Sequence, residues 1–120
     1  MEADPFDRSE TGLGLDDVPF GTLPPGPDSE ADRVIDRLLW ESTRANYENV
    51  MGRGGHSGVA RAVDLLEQAR LHWVVSGRPD ERNHDGVHVL QVIVLLRFAT
   101  VIQRRERGEP MFPELDDFTA

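Results

Sequence analysis

Apolar positions recur at helical spacing along three stretches of this chain, and each stretch is bounded by residues that start and stop helices. In the first, Ala31, Ile35, Leu38, Ser42 and Ala45 fall on one face and Trp40, Tyr47 and Met51 on a neighbouring one. That spacing predicts a helix over 29–51. Pro24-Pro25-Gly26-Pro27 blocks its extension backwards, Asp28 or Ser29 is placed to cap it, and Asp32 adds negative charge to its first turn. Gly52-Arg53-Gly54-Gly55 ends it.

A second helix is predicted over 57–76, with Ser57 as candidate cap. Val59, Val63, Leu66 and Trp73 form one apolar stripe, and Ala62, Leu65 and Ala69 lie beside it. Gly77 and Pro79 supply the stop.

The third stretch, 87–102, has twelve apolar residues in sixteen, interrupted only by His88, Gln91, Arg97 and Thr100. Eight of the sixteen are β-branched, which favours a strand by propensity. Length decides for a helix, since no turn signal breaks the run and it continues into helix-compatible Gln103 to Arg107. The expected bounds are 86–107, with Asn83 or Asp85 as cap and Gly108 as stop. The stretch is too short for a membrane span and carries Arg97.

The pattern therefore describes an all-α chain: a compact three-helix body over 29–108 between a proline- and acid-rich arm, 1–28, and an acidic, Phe-containing tail, 109–120. Both ends are expected to be disordered, because they hold too little apolar surface to offset the entropy of ordering them.

Apolar residues on nearly every side of the third helix raise the question of what covers it. Two amphipathic neighbours shelter roughly two thirds of a helix, which leaves Val87, Leu90, Val94, Phe98 and Val101 expected on an outer strip. At about 25 cal/mol per Å2, leaving roughly a few hundred Å2 wet forgoes several kcal/mol, comparable with the whole stability of a small domain. Strips of that kind mark interfaces. The competing expectation is that the tails fold back over it.

Charge sharpens this picture. The net charge of -9 is not uniform: residues 1–30 hold eight carboxylates and one arginine, residues 109–120 hold four carboxylates, and the body between them is nearly balanced. A balanced body leaves nucleic-acid binding open, through a basic end patch of Arg97, Arg104, Arg105 and Arg107. The acidic tail that follows competes with phosphate for those arginines, so intramolecular pairing is the stronger expectation. The absence of cysteine removes disulfides, thiolate chemistry and cysteine-ligated zinc, and Met1 to Glu10 contains no secretory signal pattern, so a cytoplasmic location is expected.

Candidate chemistry is sparse. His84 and His88 stand four apart near Asp80, Glu81 and Asp85, but spacing fixes no third ligand and no H-E-x-x-H pattern is present, so no metal site is predicted. Arg53, Gly54, Gly55 and Ser57 precede a helix in a glycine turn able to contact a phosphate or cofactor of unknown identity. They lack the G-x-x-x-x-G-K-[ST] pattern and a preceding strand, so they suit one wall of a shared site. No catalytic residues are predicted, since the paired carboxylates Asp16-Asp17 and Asp116-Asp117 sit in the tails. Phe112 and Phe118, isolated aromatics among acids and prolines, are candidate docking anchors.

The leading expectation is a non-catalytic accessory or adaptor subunit that associates through the apolar third helix with a protein partner or a second copy. The alternatives are a small helical nucleic-acid-binding regulator restrained by its acidic tails, and a small subunit lending its glycine loop to the shared phosphate or cofactor site of a hetero-oligomeric enzyme.

Overall fold

The structure is a computed structural model that describes residues 21–52, 55–78 and 87–119, with the side chains of 55–57, 87 and 117–119 outside the description. Its elements are α1 (Ser29–Val50), α2 (Gly55–Val75), α3 (Val87–Glu106) and a short α4 (Pro113–Thr119). The described residues contain no strand, so the β-branched third stretch is helical as its length required.

Local chemistry sets the helix ends. Asp28 is extended, and one oxygen of its carboxylate accepts from the backbone N–H groups of Glu30 and Ala31, at 3.0 and 3.2 Å. At the far end of α3, Gly108 adopts φ +71, a left-handed conformation that a side chain disfavours. There the N–H of Glu109 donates to Arg104 O at 2.9 Å and that of Gly108 to Arg105 O at 3.1 Å, closing the last turn.

Helices α1 and α2 form an antiparallel pair along a seam of small residues. Ser42 Oγ donates to Ala62 O at 2.9 Å, and a β-carbon added to Gly58 would stand 3.2 Å from Asn49 Cβ. Close approach buries Ala62 beside Ser42 and lets Leu65, Ala69 and Trp73 bury against Ile35, Leu38 and Leu39. The stripe read as inward by hydrophobicity, Val59 and Val63, faces outward instead, because the alanine and glycine side is the one that permits the two backbones to meet.

Helix α3 lies along α1 and touches α2 over a much shorter stretch. Its inner face is Leu90, Ile93, Val94, Arg97 and Val101. This corrects the expected outer strip. Leu90 and Val101 are 0% exposed and Val94 is buried, all three within the chain's own core. They turn inward because Arg97 shares their face and has its carboxylate partner on α1.

Two segments assigned to the tails belong to the fold. Leu23 packs on the main cluster, and Gly21 is buried with its carbonyl accepting from Arg97. After Gly108 the chain turns back so that Met111, Phe112 and the buried Leu115 meet Trp40, Tyr47 and Val101 in a second cluster. Phe112 packs edge-on to Tyr47, ring centroids 6.0 Å apart. Neither segment is apolar enough to read as folded alone, and each becomes so on a surface assembled by the other helices. Leu115, the one buried apolar side chain described in α4, contributes about 1.5–3 kcal/mol.

Candidate functional site

α3 separates two concave regions of opposite character. On one flank, an open polar cleft of about 500 Å3 lies between the 21–29 segment, the first half of α1, and Thr100, Arg104 and Glu114. On the other, an apolar groove of about 290 Å3 runs between α2 and α3 over the last turns of α1.

Two guanidinium groups of the polar cleft, those of Arg97 and Arg104, are committed to carboxylates of this chain. Arg97 pairs with Asp36, donates to Gly21 O at 2.7 Å and to Asp36 O at 3.2 Å, and lies over the Trp40 ring, 4.4 Å from its centroid. Burial pulls its pKa below the ordinary guanidinium value, and the neighbouring Asp36 opposes that shift. One turn earlier on α1, Asp32 repeats the arrangement with Arg78, whose guanidinium lies 4.5 Å over Trp73. The backbone N–H of Gly26 donates to Asp32 at 2.9 Å. Burial raises the Asp32 pKa, and the Gly26 and Arg78 contacts outweigh it, leaving the carboxyl below its usual range.

Arg104 completes the set. It reaches Glu114 with both terminal nitrogens, at 2.8 and 2.6 Å, and donates to Met111 O at 2.9 Å. The hydrogen bond to Glu114 raises the Arg104 pKa, while burial of Glu114 is overcome by the same contact, so that its carboxyl is held low. With Arg97 enclosed and Arg104 paired, the expected basic end patch reduces to Arg105 and Arg107, which are exposed. These are structural ion pairs rather than a site with an idle cation.

The apolar groove is different, because none of the described residues covers it. Its walls are Leu66 on α2 and Val94, Leu95 and Phe98 on α3, with Asn46 and Val50 of α1 beneath. Leu95 is 69% exposed and Val50 63%. On the α2 side, Val59 and Val63 share the helical face of Leu66, and Val63 is 62% exposed. Asn46 and Gln91 are the polar residues among the seven that line it. The groove exists because α1 carries both neighbours while α2 and α3 diverge.

The sequence-derived candidates distribute unevenly over this geometry. Phe98 lines the groove and also stands 6.5 Å from Tyr47, joining groove and second cluster. Val94 lines the groove from its buried position. Leu90 and Val101 are interior, and Phe112 is turned into the second cluster. The side chains of Val87 and Phe118 lie outside the described residues, as do Arg53, Gly54 and His84 entirely. Gly55 opens α2, two residues before the expected cap Ser57, and the side chain of Ser57 is not described. Leu95, Val59 and Val63 went unnamed as interface residues. The signal for Leu95 was its place opposite Arg97 once that arginine is taken as inward.

Among the described residues, no helix is long and apolar enough to cross a membrane, and no three His, Asp or Glu side chains gather as metal ligands would. Comparison with protein-family models, curated proteins and solved structures finds no significant match.

Proposed function

We propose that this protein is a non-catalytic adaptor or accessory subunit whose α2–α3 groove seats an amphipathic helix of a partner protein. The observation that carries the reading is an apolar trough with Leu66 on one wall and the exposed Leu95 on the other, with the exposed Val63 on the helical face of Leu66. Three helices form its floor and sides, so its shape suits a further helix packed beside α2 and α3. Helix-in-groove recognition uses apolar anchors one turn apart, matching the spacing of Val59, Val63 and Leu66 along the wall.

The charged cleft carries the reading less well, since Arg97 and Arg104 within it are paired with carboxylates of the fold. Asn46 and Gln91 offer the groove hydrogen bonds that would fix the register of the incoming helix.

The reading is tested by introducing charge on both walls, Val63→Asp with Leu95→Asp. Both positions are exposed, so helix content and unfolding midpoint should stay near wild type. A partner recovered in stoichiometric amount with the wild-type chain should be lost from the double variant. Retention of that partner by a folded double variant would refute the assignment.

A further inference from the structure

The two ends of the apolar groove differ in charge. Gly58 stands beside Asn49, so α2 runs away from Val50 as its numbers rise. Past Leu66 in that direction, one turn on, the cation is Arg70, and it is paired with Glu67 at 2.6 Å. That end is balanced. At the opposite end, beyond Val50 and Phe98, the cation is Arg105. It lies seven residues after Phe98, two turns along the same face of α3, and a helical side chain leans toward its helix's N-terminus, here toward Phe98. Its guanidinium donates to Sδ of Met51, the residue after Val50, at 3.5 Å.

A thioether is a weak acceptor. Arg70, Arg78, Arg97 and Arg104 each hold a carboxylate of this chain, whereas among the described residues none pairs with Arg105. Glu106, its neighbour in sequence, stands about 100° away round the helix. The seven residues lining the groove include no carboxylate either. An apolar trough that ends in an uncompensated cation is complementary to a ligand with an apolar body and a negative end.

We propose that the occupant of the groove is an acidic amphipathic helix of the partner protein, one that carries an Asp or Glu beyond its apolar anchors for Arg105 to receive. This rests on the groove reading and adds the partner's charge and placement: its anchors lie between Leu66 and Leu95, and its carboxylate lies over Val50 and Met51. The carboxylate displaces the thioether because a charge-assisted hydrogen bond is the stronger. Met51, unbranched and 37% exposed, has room to move aside.

The test uses the full chain and dye-labelled synthetic helical peptides of about four turns, sharing one leucine stripe and differing at a single position one turn past it: Glu, Gln or Lys. That position precedes the stripe in one series and follows it in another, so the series that discriminates gives the direction of the helix. Fluorescence anisotropy at low salt should show Glu tightest, Gln roughly threefold to fivefold weaker and Lys weaker still. Arg105→Gln should make the three bind alike, and Arg105→Glu should favour Lys. Arg105 is exposed and outside the ion pairs described, so both variants should keep wild-type helix content. Salt at about 0.5 M should compress the order.

Equal binding of all three peptides in both series, no binding of either Glu peptide at about 1 mM, or a preference that survives Arg105→Gln would overturn the proposal. So would a dimer of the full chain that Leu95→Asp dissolves, which assigns the groove to a second copy. A chain lacking residues 1–20 that binds the Glu peptide tenfold more tightly than the full chain would assign it instead to the chain's own acidic arm. Val63→Asp with Leu95→Asp should abolish binding of every peptide. Equal binding by that double variant and the wild type strikes the groove reading, whereas abolished binding without a Glu preference strikes the charge assignment alone.

Discussion

Asp36 and Arg97, 61 positions apart in sequence, form the ion pair that fixes which side of α3 faces α1. The guanidinium is almost fully enclosed, lies over Trp40 and holds the carbonyl of Gly21. One residue thereby joins three elements. It also determines the function proposed here, because turning Arg97 inward turns Leu95 outward.

Removing one member of that pair leaves a buried charge without its counterion. Arg97→Ala or Asp36→Ala is expected to cost about 3–5 kcal/mol, read from urea unfolding followed by circular dichroism. Replacing both, as Asp36→Leu with Arg97→Met, should recover most of the loss. A double variant no more stable than the single ones would show that the contacts to Gly21 and Trp40 outweigh the ion pair.

The orientation of α3 is checked by two leucines five positions apart. Leu90→Ala should destabilise by about 2–5 kcal/mol, since its side chain is fully enclosed. Leu95→Ala should change stability by less than about 0.5 kcal/mol. The same denaturation measurement on both variants decides the matter, and equal losses would contradict the buried face described.

Acid should loosen both ends of the fold. Asp32 and Glu114 have pKa values lowered in the folded chain, so their stabilisation is fully present above the unfolded values of about 4 and is lost as pH falls through the lower folded values. Asp32 faces Arg78 and the Gly26 N–H, while Glu114 faces Arg104 with Arg97 behind it, and Glu109 also acts on Arg104. Urea midpoints measured from pH 7 down to about pH 3 should fall, and Asp32→Asn should flatten the curve. A profile that Asp32→Asn leaves unchanged would remove Asp32 from this account.

Much of the fold was legible because helix signals are local. The spacing of Ile35, Leu38, Ser42 and Ala45, the Asp28 cap and the stops at Gly52, Gly77 and Gly108 act within a few residues of themselves. Trp40 and Trp73 were legible as core residues for the same reason. The inner side of α3 was not, because its determinant is Asp36 on another helix, and a hydrophobic count treats Arg97 as a residue to expose. On α2 the count failed differently: Val59 and Val63 are greasier than Ala62 and Ala69, but only the small residues admit Ser42 and Ala45 at close range. Met111 to Leu115 read as a disordered tail offering Phe112 to another protein, because its partners within the chain, Trp40, Tyr47 and Val101, come together only in three dimensions. The groove inherited the first of these errors, with Phe98 named from sequence and Leu95 missed.

The groove claim is tested most directly by placing a photo-activated cross-linking residue at 63 or at 95 in the native cell. Both positions should capture the same protein, and the attachment points on it should lie on one segment, about one or two helical turns apart. His72, exposed on α2 away from the groove, serves as the control position and should capture nothing in common with them. Different captured proteins from the two walls, or adducts indistinguishable from those at His72, would contradict a helix seated between α2 and α3.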